Sequence, residues 1–278
     1  MQMHITHINY TRMGERMKYI GSKARIAKQI ATYINNIGIC EGINDYYEPF
    51  CGGCSVAEEV SLSNINCNDL NNYLIALYNK VKDGMWDFKF ITREERDAIR
   101  EKYVAYRDGE SDTLGYEEWF IGWVGFSTGF RSVFFQGYAG IDETNGTNYQ
   151  YNMYKSLEKE REKLVNMNFT NKSFNELDIK KGSIVYCDAP YMSTRKYNVV
   201  DKFNFRGYYK WLKKIAQDNL VLISEYTMPA GFKEVDSWML TCESSHTTKE
   251  LRQEKLFVVE GGYLVDKYFG NSNVEDIL

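Results

Sequence analysis

One short run limits the folds open to this chain more than any other: Ile184-Val185-Tyr186-Cys187-Asp188-Ala189-Pro190-Tyr191. It follows the turn Lys181-Gly182-Ser183 and begins with apolar, β-favouring residues, so it starts as a strand. Pro190 then stops it, because proline cannot donate to a ladder and pushes Ala189 out of helical space. A carboxylate, a backbone carbonyl and an aromatic ring are thereby presented together at the C-terminal edge of a strand. In open α/β sheets, ligands bind outside that edge. Taken alone, Asp188 to Tyr191 are better explained by an ordinary strand-to-loop exit, so the reading depends on the rest of the chain.

A second constraint comes earlier. Residues 45–55 (Asp45-Tyr46-Tyr47-Glu48-Pro49-Phe50-Cys51-Gly52-Gly53-Cys54-Ser55) read as a strand, a glycine turn and a helix starting near Ser55. Glycines there let a backbone approach a ligand without a Cβ clash, as at the first strand of a doubly wound sheet. Residues 65–69 read as the next strand, ending in Asp69. An acid at that offset can bond both ribose hydroxyls of an adenosine cofactor. It can equally be an N-cap for a helix over residues 70–81. Upstream, Lys18 to Lys23 place a Gly-Ser turn before a helix over residues 24 to about 36. That turn serves either as an anion site or as a plain cap at Ser22.

Asp188-Ala189-Pro190-Tyr191 resembles the Asp-Pro-Pro-Tyr motif of amino-group DNA methyltransferases, and residues 48–54 resemble the family's Glu-Pro-Phe-x-Gly-Gly-Gly. With the lysine-rich start, the chain resembles the Dam-like, D12 class group that methylates adenine N6. The resemblance spans residues of about 17–260, in the order cofactor motif, recognition insert, catalytic motif. It implies an α/β fold: a Rossmann-like methyltransferase sheet of seven mostly parallel strands carrying an inserted helical target-recognition region. It also implies S-adenosylmethionine as cofactor, no metal, and double-stranded DNA as partner. Phe50, Cys51, Gly52, Gly53 and Asp69 would hold the cofactor, with Asp188 at its reacting end. Tyr19 and Lys23 would border its methionine end. Phe174 would face its adenine, though a buried core phenylalanine explains that residue as well.

The motif's chemistry is legible. An exocyclic amine is a poor nucleophile because its lone pair is delocalised into the ring. Two acceptors on its hydrogens, the Asp188 carboxylate and the Ala189 carbonyl, draw it toward tetrahedral geometry. Pro190 shapes the turn, and Tyr191 offers a face on which a flipped base stacks. Two positions depart from the family pattern. Ala189 stands where a proline is usual, which loosens the turn that aims the carbonyl. Cys54 stands where a third glycine is usual; it costs little at ordinary backbone angles and requires a reshaped loop if its φ is positive.

The expected layout is a flexible leader at 1–16, a catalytic domain from 17–84 and 151–278, and a recognition insertion at 85–150. Within the insert, a charged helix over 92–107 precedes an aromatic, glycine-rich stretch at 119–140. Arg131 and Gln136 there are candidates for reading base edges, while most of the aromatics are expected to pack. Further elements expected are helices at 154–165 and about 207–217 and strands at 168–171 and 219–224. Closing antiparallel strands are expected at 239–242, 256–259 and 263–268.

The net charge of −4 does not itself favour DNA, but local charge does. Residues 195–214 hold seven basic residues and one acidic one, interleaved with aromatics. Arg195, Lys196 and Tyr197 are therefore candidate DNA contacts, with a solvated amphipathic helix as the plain alternative over part of the stretch; the resemblance implies Lys18 as a further DNA contact. The six cysteines are scattered as in a reducing, cytoplasmic protein; the resemblance implies a prokaryote or a phage-infected cell. Cys51 and Cys54 have metal spacing but no second Cys/His pair to complete a site. No apolar run reaches membrane-spanning length, and a monomer or weak dimer is expected. The alternatives in function are a non-catalytic DNA-binding relative, or methylation of RNA adenine or of cytosine N4.

Overall fold

The structure, a computed structural model, describes residues 22–191, 203–243 and 249–270. Lys18, Tyr19, Arg195, Lys196 and Tyr197 lie outside the described residues. The chain divides into two compact units, one of Lys23–Leu70 with Met167–Leu278, the other chiefly of Asn71–Asn166.

The first unit is built on one seven-stranded sheet: β1 (Asp45–Glu48), β2 (Asn64–Asn68), β3 (Met167–Thr170), β4 (Ile184–Cys187), β5 (Leu220–Glu225), β6 (Phe232–Glu243) and β7 (Lys249–Val259). The spatial order is β3-β2-β1-β4-β5-β7-β6. The first five strands in that order pair in parallel, and β7 runs antiparallel to both β5 and β6. Strand order therefore reverses between β1 and β4, and their carboxyl ends form the crevice at such a switch point. β4 and β5 are buried at every residue, which is why both read as unbroken apolar runs.

On one face Val185, Cys187, Val221 and Ile223 pack with Tyr208, Trp211 and Leu212 of helix α6 (Phe205–Ile215). Residues of the opposite parity, Ile184, Tyr186, Leu220 and Leu222, are fully buried on the other face. Helix α1 (Ala27–Glu41) buries Ile30, Tyr33, Ile34 and Ile37 at helical spacing. Its Tyr33 hydroxyl donates to Asp236 of β6.

Three expectations are corrected here. No α-helix follows the glycine turn; a single 3-10 turn, Ala57–Glu59, takes its place, because Val60 already returns to extended backbone. Residues 263–268 are not a closing strand: α7 (Val265–Phe269) lies there and buries Val265 and Phe269. The hairpin β6–β7 is much longer than the apolar pattern suggested, since its far end is polar and gives no alternation signal.

The second unit is helical: α2 (Asn72–Asp83), α3 (Arg93–Arg107), α4 (Glu118–Ser127) and α5 (Tyr149–Leu164). Thr92 and Glu95 close α3 with a reciprocal capping box. Asn71 caps α2 by accepting from the Tyr73 and Leu74 amides, so Asp69 is not that helix's cap. The unit takes in α2 and α5, beyond the 85–150 stretch expected of the insert. Among the described residues no helix is long and apolar enough to cross a membrane.

Candidate active site

The crevice has two walls, and each is made by a strand end. At the end of β1 the chain must turn sharply. Gly52 does so at φ 43°, left-handed space that glycine enters without a Cβ penalty. Its amide donates to Asp69 Oδ2 at 3.0 Å, and the Cys51 amide donates to the Asn68 carbonyl at 2.8 Å. Asn68 locks the neighbouring ends: its amide group donates to the Pro49 and Lys172 carbonyls, both at 3.0 Å. Its carbonyl accepts from Thr170 Oγ1 and from the Lys172 amide.

The turn closes with the Cys54 amide on the Cys51 carbonyl at 2.7 Å. Cys54 sits at φ 53°, so it holds a left-handed angle with an L side chain. That geometry costs about 1–2 kcal/mol. Its thiol is buried beside those of Cys51 and Cys67, and burial pushes the Cys51 and Cys54 thiols well above their usual range. These groups stay protonated and pack. Glu48 is buried as well, accepts from the Tyr46 hydroxyl at 2.7 Å, and is held well above the carboxylate range by that burial.

The ring of Phe50 lies 5.7 Å from that of Phe174, centroid to centroid, and Phe174 also packs edge-on to Tyr208 and Trp211. Phe174 is thus half-buried in an aromatic wall continuous with the glycine turn. The residues fit an adenosine-type cofactor: a turn without a Cβ at Gly52, a carboxylate fixed beside it, and aromatic faces adjoining both.

The second wall is the end of β4. Asp188 does not point into packed hydrocarbon. Lys23 Nζ stands 2.8 Å from its Oδ1 and 2.9 Å from its Oδ2. The same ammonium lies 4.7 Å from the centroid of the Tyr191 ring and 3.9 Å from Glu254 Oε2. Tyr191 donates its hydroxyl to Glu254 Oε2 at 2.7 Å, and its ring meets that of Tyr226 edge-on at 4.7 Å. Burial raises the Asp188 carboxyl above its ordinary value, with Lys23 pulling against that shift. Burial works against the charge on Lys23, but Asp188 and Glu254 together outweigh it and raise the ammonium's pKa.

Sheet topology brings together Lys23, Phe50, Gly52, Asp69, Phe174, Asp188 and Tyr191 in one unit. Ala189 is buried against the α6 face. Lys23 precedes α1, whose N-cap position is Ile26 rather than Ser22. Glu254 and Tyr226 were missed as site residues. A signal existed for Glu254: it shares strand parity with buried Leu256 and Val258, an acid in an apolar stripe. Arg131 and Gln136 belong to the other unit, where both are exposed on a loop closed by the Phe130 amide on the Gln136 carbonyl. The Arg131 guanidinium covers the Phe130 ring at 5.6 Å.

The profile of the D12 class N6 adenine-specific DNA methyltransferases matches residues 19–219, well over half of the chain. The chain belongs to that family. A curated relative, the Type II methyltransferase M1.LlaDCHI of Lactococcus lactis subsp. cremoris, is 24% identical over 208 residues, covering 69% of this chain and 70% of the relative. A solved structure, that of SMU.472 complexed with SAH, aligns with TM-score 0.37 and 12% identity over 91% of this chain. This chain spans 56% of that protein's length. As a D12 class chain, the protein is an adenine-specific DNA methyltransferase that draws its methyl group from S-adenosylmethionine.

Proposed function

We propose that this D12 class protein methylates N6 of an adenine flipped out of double-stranded DNA, with Asp188 and the Ala189 carbonyl as acceptors for the amine and Tyr191 as the stacking face. One observation carries this reading. A nitrogen bearing N–H groups, the Lys23 ammonium, already lies over the Tyr191 ring and donates to both Asp188 oxygens. The end of β4 therefore has the polarity to hold an amino nitrogen on that carboxylate above an aromatic ring. When the adenine amine occupies it, two accepted hydrogen bonds draw the nitrogen toward tetrahedral geometry and release its lone pair.

Gly52, Asp69, Phe50 and Phe174 hold the cofactor, with Asp69 facing the ribose and Phe174 the adenine ring. Bound there, S-adenosylmethionine supplies an electrophilic methyl group on a sulfonium. The Asp188 carboxylate and the Ala189 carbonyl would hold the amine nitrogen toward that methyl group for its transfer. The methylated nitrogen then releases one proton to the Asp188 carboxylate or to water. Catalysis of this kind is positioning and electrostatics, with no covalent enzyme intermediate. In the helical unit, Arg131 and Gln136 supply exposed donors for base edges. Lys18, Arg195, Lys196 and Tyr197 complete the proposed DNA contacts by charge and sequence position.

The test is transfer of a tritiated methyl group to unmethylated duplex DNA, followed by nucleoside analysis. N6-methyladenine is expected, with the rate lowered by about a thousandfold in Asp188→Ala. Activity that survives this substitution removes the assignment. The left-handed Cys54 favours a second reading, a relative that binds cofactor and DNA without turnover; binding without product in the wild type would select it.

A further inference from the structure

Lys23 stands between two acids, and only one of them belongs to the motif at the end of β4. Its side chain is 7% exposed, so its charge needs a carboxylate wherever it goes. For an adenine amine to bond Asp188 and stack on Tyr191, the ammonium must leave the place it holds over both. Glu254 Oε2 is 3.9 Å from Nζ in the present position, a short excursion away. Glu254 is itself buried and fixed in the middle of β7, opposite Trp238 of β6. It also accepts the Tyr191 hydroxyl, so it touches both groups that the base must meet.

We propose that Glu254 is a positioning residue for methyl transfer: it receives the Lys23 ammonium when the target amine takes Asp188, and it holds the Tyr191 ring at the angle on which the base stacks. This rests on the amine-docking reading above and extends it to a residue outside the motif. With the lysine on Asp188, that carboxylate is occupied and protected. With the lysine on Glu254, the charge remains paired and Asp188 accepts from substrate. The single lysine thus serves two carboxylates in turn, and buried positive charge is never left unpaired. No bond is made or broken in this exchange. The protons stay on nitrogen.

Glu254→Gln keeps the acceptor for Tyr191 and removes the charge that attracts Lys23. Glu254→Asp keeps the charge. The proposal expects kcat/KM for duplex DNA to fall by about tenfold in Glu254→Gln, with cofactor affinity unchanged and a smaller loss in Glu254→Asp. A wild-type rate in Glu254→Gln, or an Asp variant no better than the Gln variant, overturns it. If Glu254→Gln does not fold, the wild type still decides. The Lys23 ammonium resonance, followed by 15N-edited NMR, is expected to move when target DNA binds to the protein loaded with S-adenosylhomocysteine. A resonance that stays put refutes the exchange. Asp188→Ala separates the two levels. An active Asp188→Ala brings down the amine-docking reading itself, whereas an inactive one beside an unaffected Glu254→Gln brings down only the role of Glu254.

Discussion

The sheet unit and the helical unit both pack many aromatic residues, yet use them differently. In the sheet unit, rings adjoin charges: Tyr191 lies under Lys23 and bonds Glu254, and Phe174 continues the wall of the glycine turn. In the helical unit, rings meet rings, and the cations over them are mostly exposed side chains such as Arg93, Lys102 and Arg107. Trp86 contacts Trp119, Trp123 and Tyr154, and Tyr103 contacts Tyr73, Phe134 and Phe135. Its glycines differ too. Gly122 of α4 is there because a Cβ would drive into the Tyr73 carbonyl of α2. Gly52 is there for its left-handed angle. The lesson is that an aromatic, glycine-rich composition marks a candidate site where buried groups of opposite charge, here Lys23, Asp188 and Glu254, converge on a ring; elsewhere it marks close packing.

The comparison can be broken at three points. The largest effect is expected from Asp69→Ala, which removes a carboxylate bonded to the Gly52 amide. A lost charge-assisted bond of about 1.5–3 kcal/mol raises the Kd for S-adenosylmethionine by about ten- to a hundredfold, measurable by calorimetry. The melting of the helical unit should not respond. An unchanged Kd would show that the turn stands without its acid.

Gly122→Ala should do the reverse. Overpacking against α2 costs about 1–3 kcal/mol of stability, read by denaturant unfolding, with cofactor affinity retained. Loss of cofactor binding in that variant would mean the helical unit supports the site directly. The smallest effect is expected from Cys54→Gly. Relief of the left-handed backbone, about 1–2 kcal/mol, is offset by loss of a small buried side chain, so stability should change by less than about 1 kcal/mol. A large destabilisation would assign the thiol cluster a packing role that outweighs its strain.

A pH profile sharpens the charged side of the contrast. On the proposed reading the carboxylate form of Asp188 accepts the amine, and burial raises its pKa, so activity should fail on acidification above the usual aspartate range. Lys23 opposes that shift, while Glu254 adds to it. Lys23→Gln should therefore move the acid limb of kcat to higher pH. A limb that moves to lower pH would contradict this arrangement. For stability the signs differ. A raised Asp188 pKa favours the protonated form, so its contribution diminishes as pH rises through the unfolded value toward the folded one. The raised Lys23 pKa contributes stability that is complete below its unfolded value and is lost in alkali.

Much of this protein was written locally. Backbone chemistry is local, so a proline after Asp188, a glycine turn after Glu48 and an acid after β2 announce strand ends without knowledge of the fold. The parallel core strands were equally legible, because burial on both faces demands uninterrupted apolar runs. Two local readings stayed open until the structure closed them. Asn71, not Asp69, caps α2, and Cys54 takes the positive φ.

What only tertiary structure decided is which distant charges meet. Lys23 and Asp188 are 165 residues apart, and Tyr191 and Glu254 are 63 apart. Nothing in either neighbourhood encodes the pairing, which follows from strand order and from the antiparallel insertion of β7 beside β5. Local sequence dictates where a chain turns. The partner of a buried charge is settled only when low-dielectric surroundings force every such group to find one.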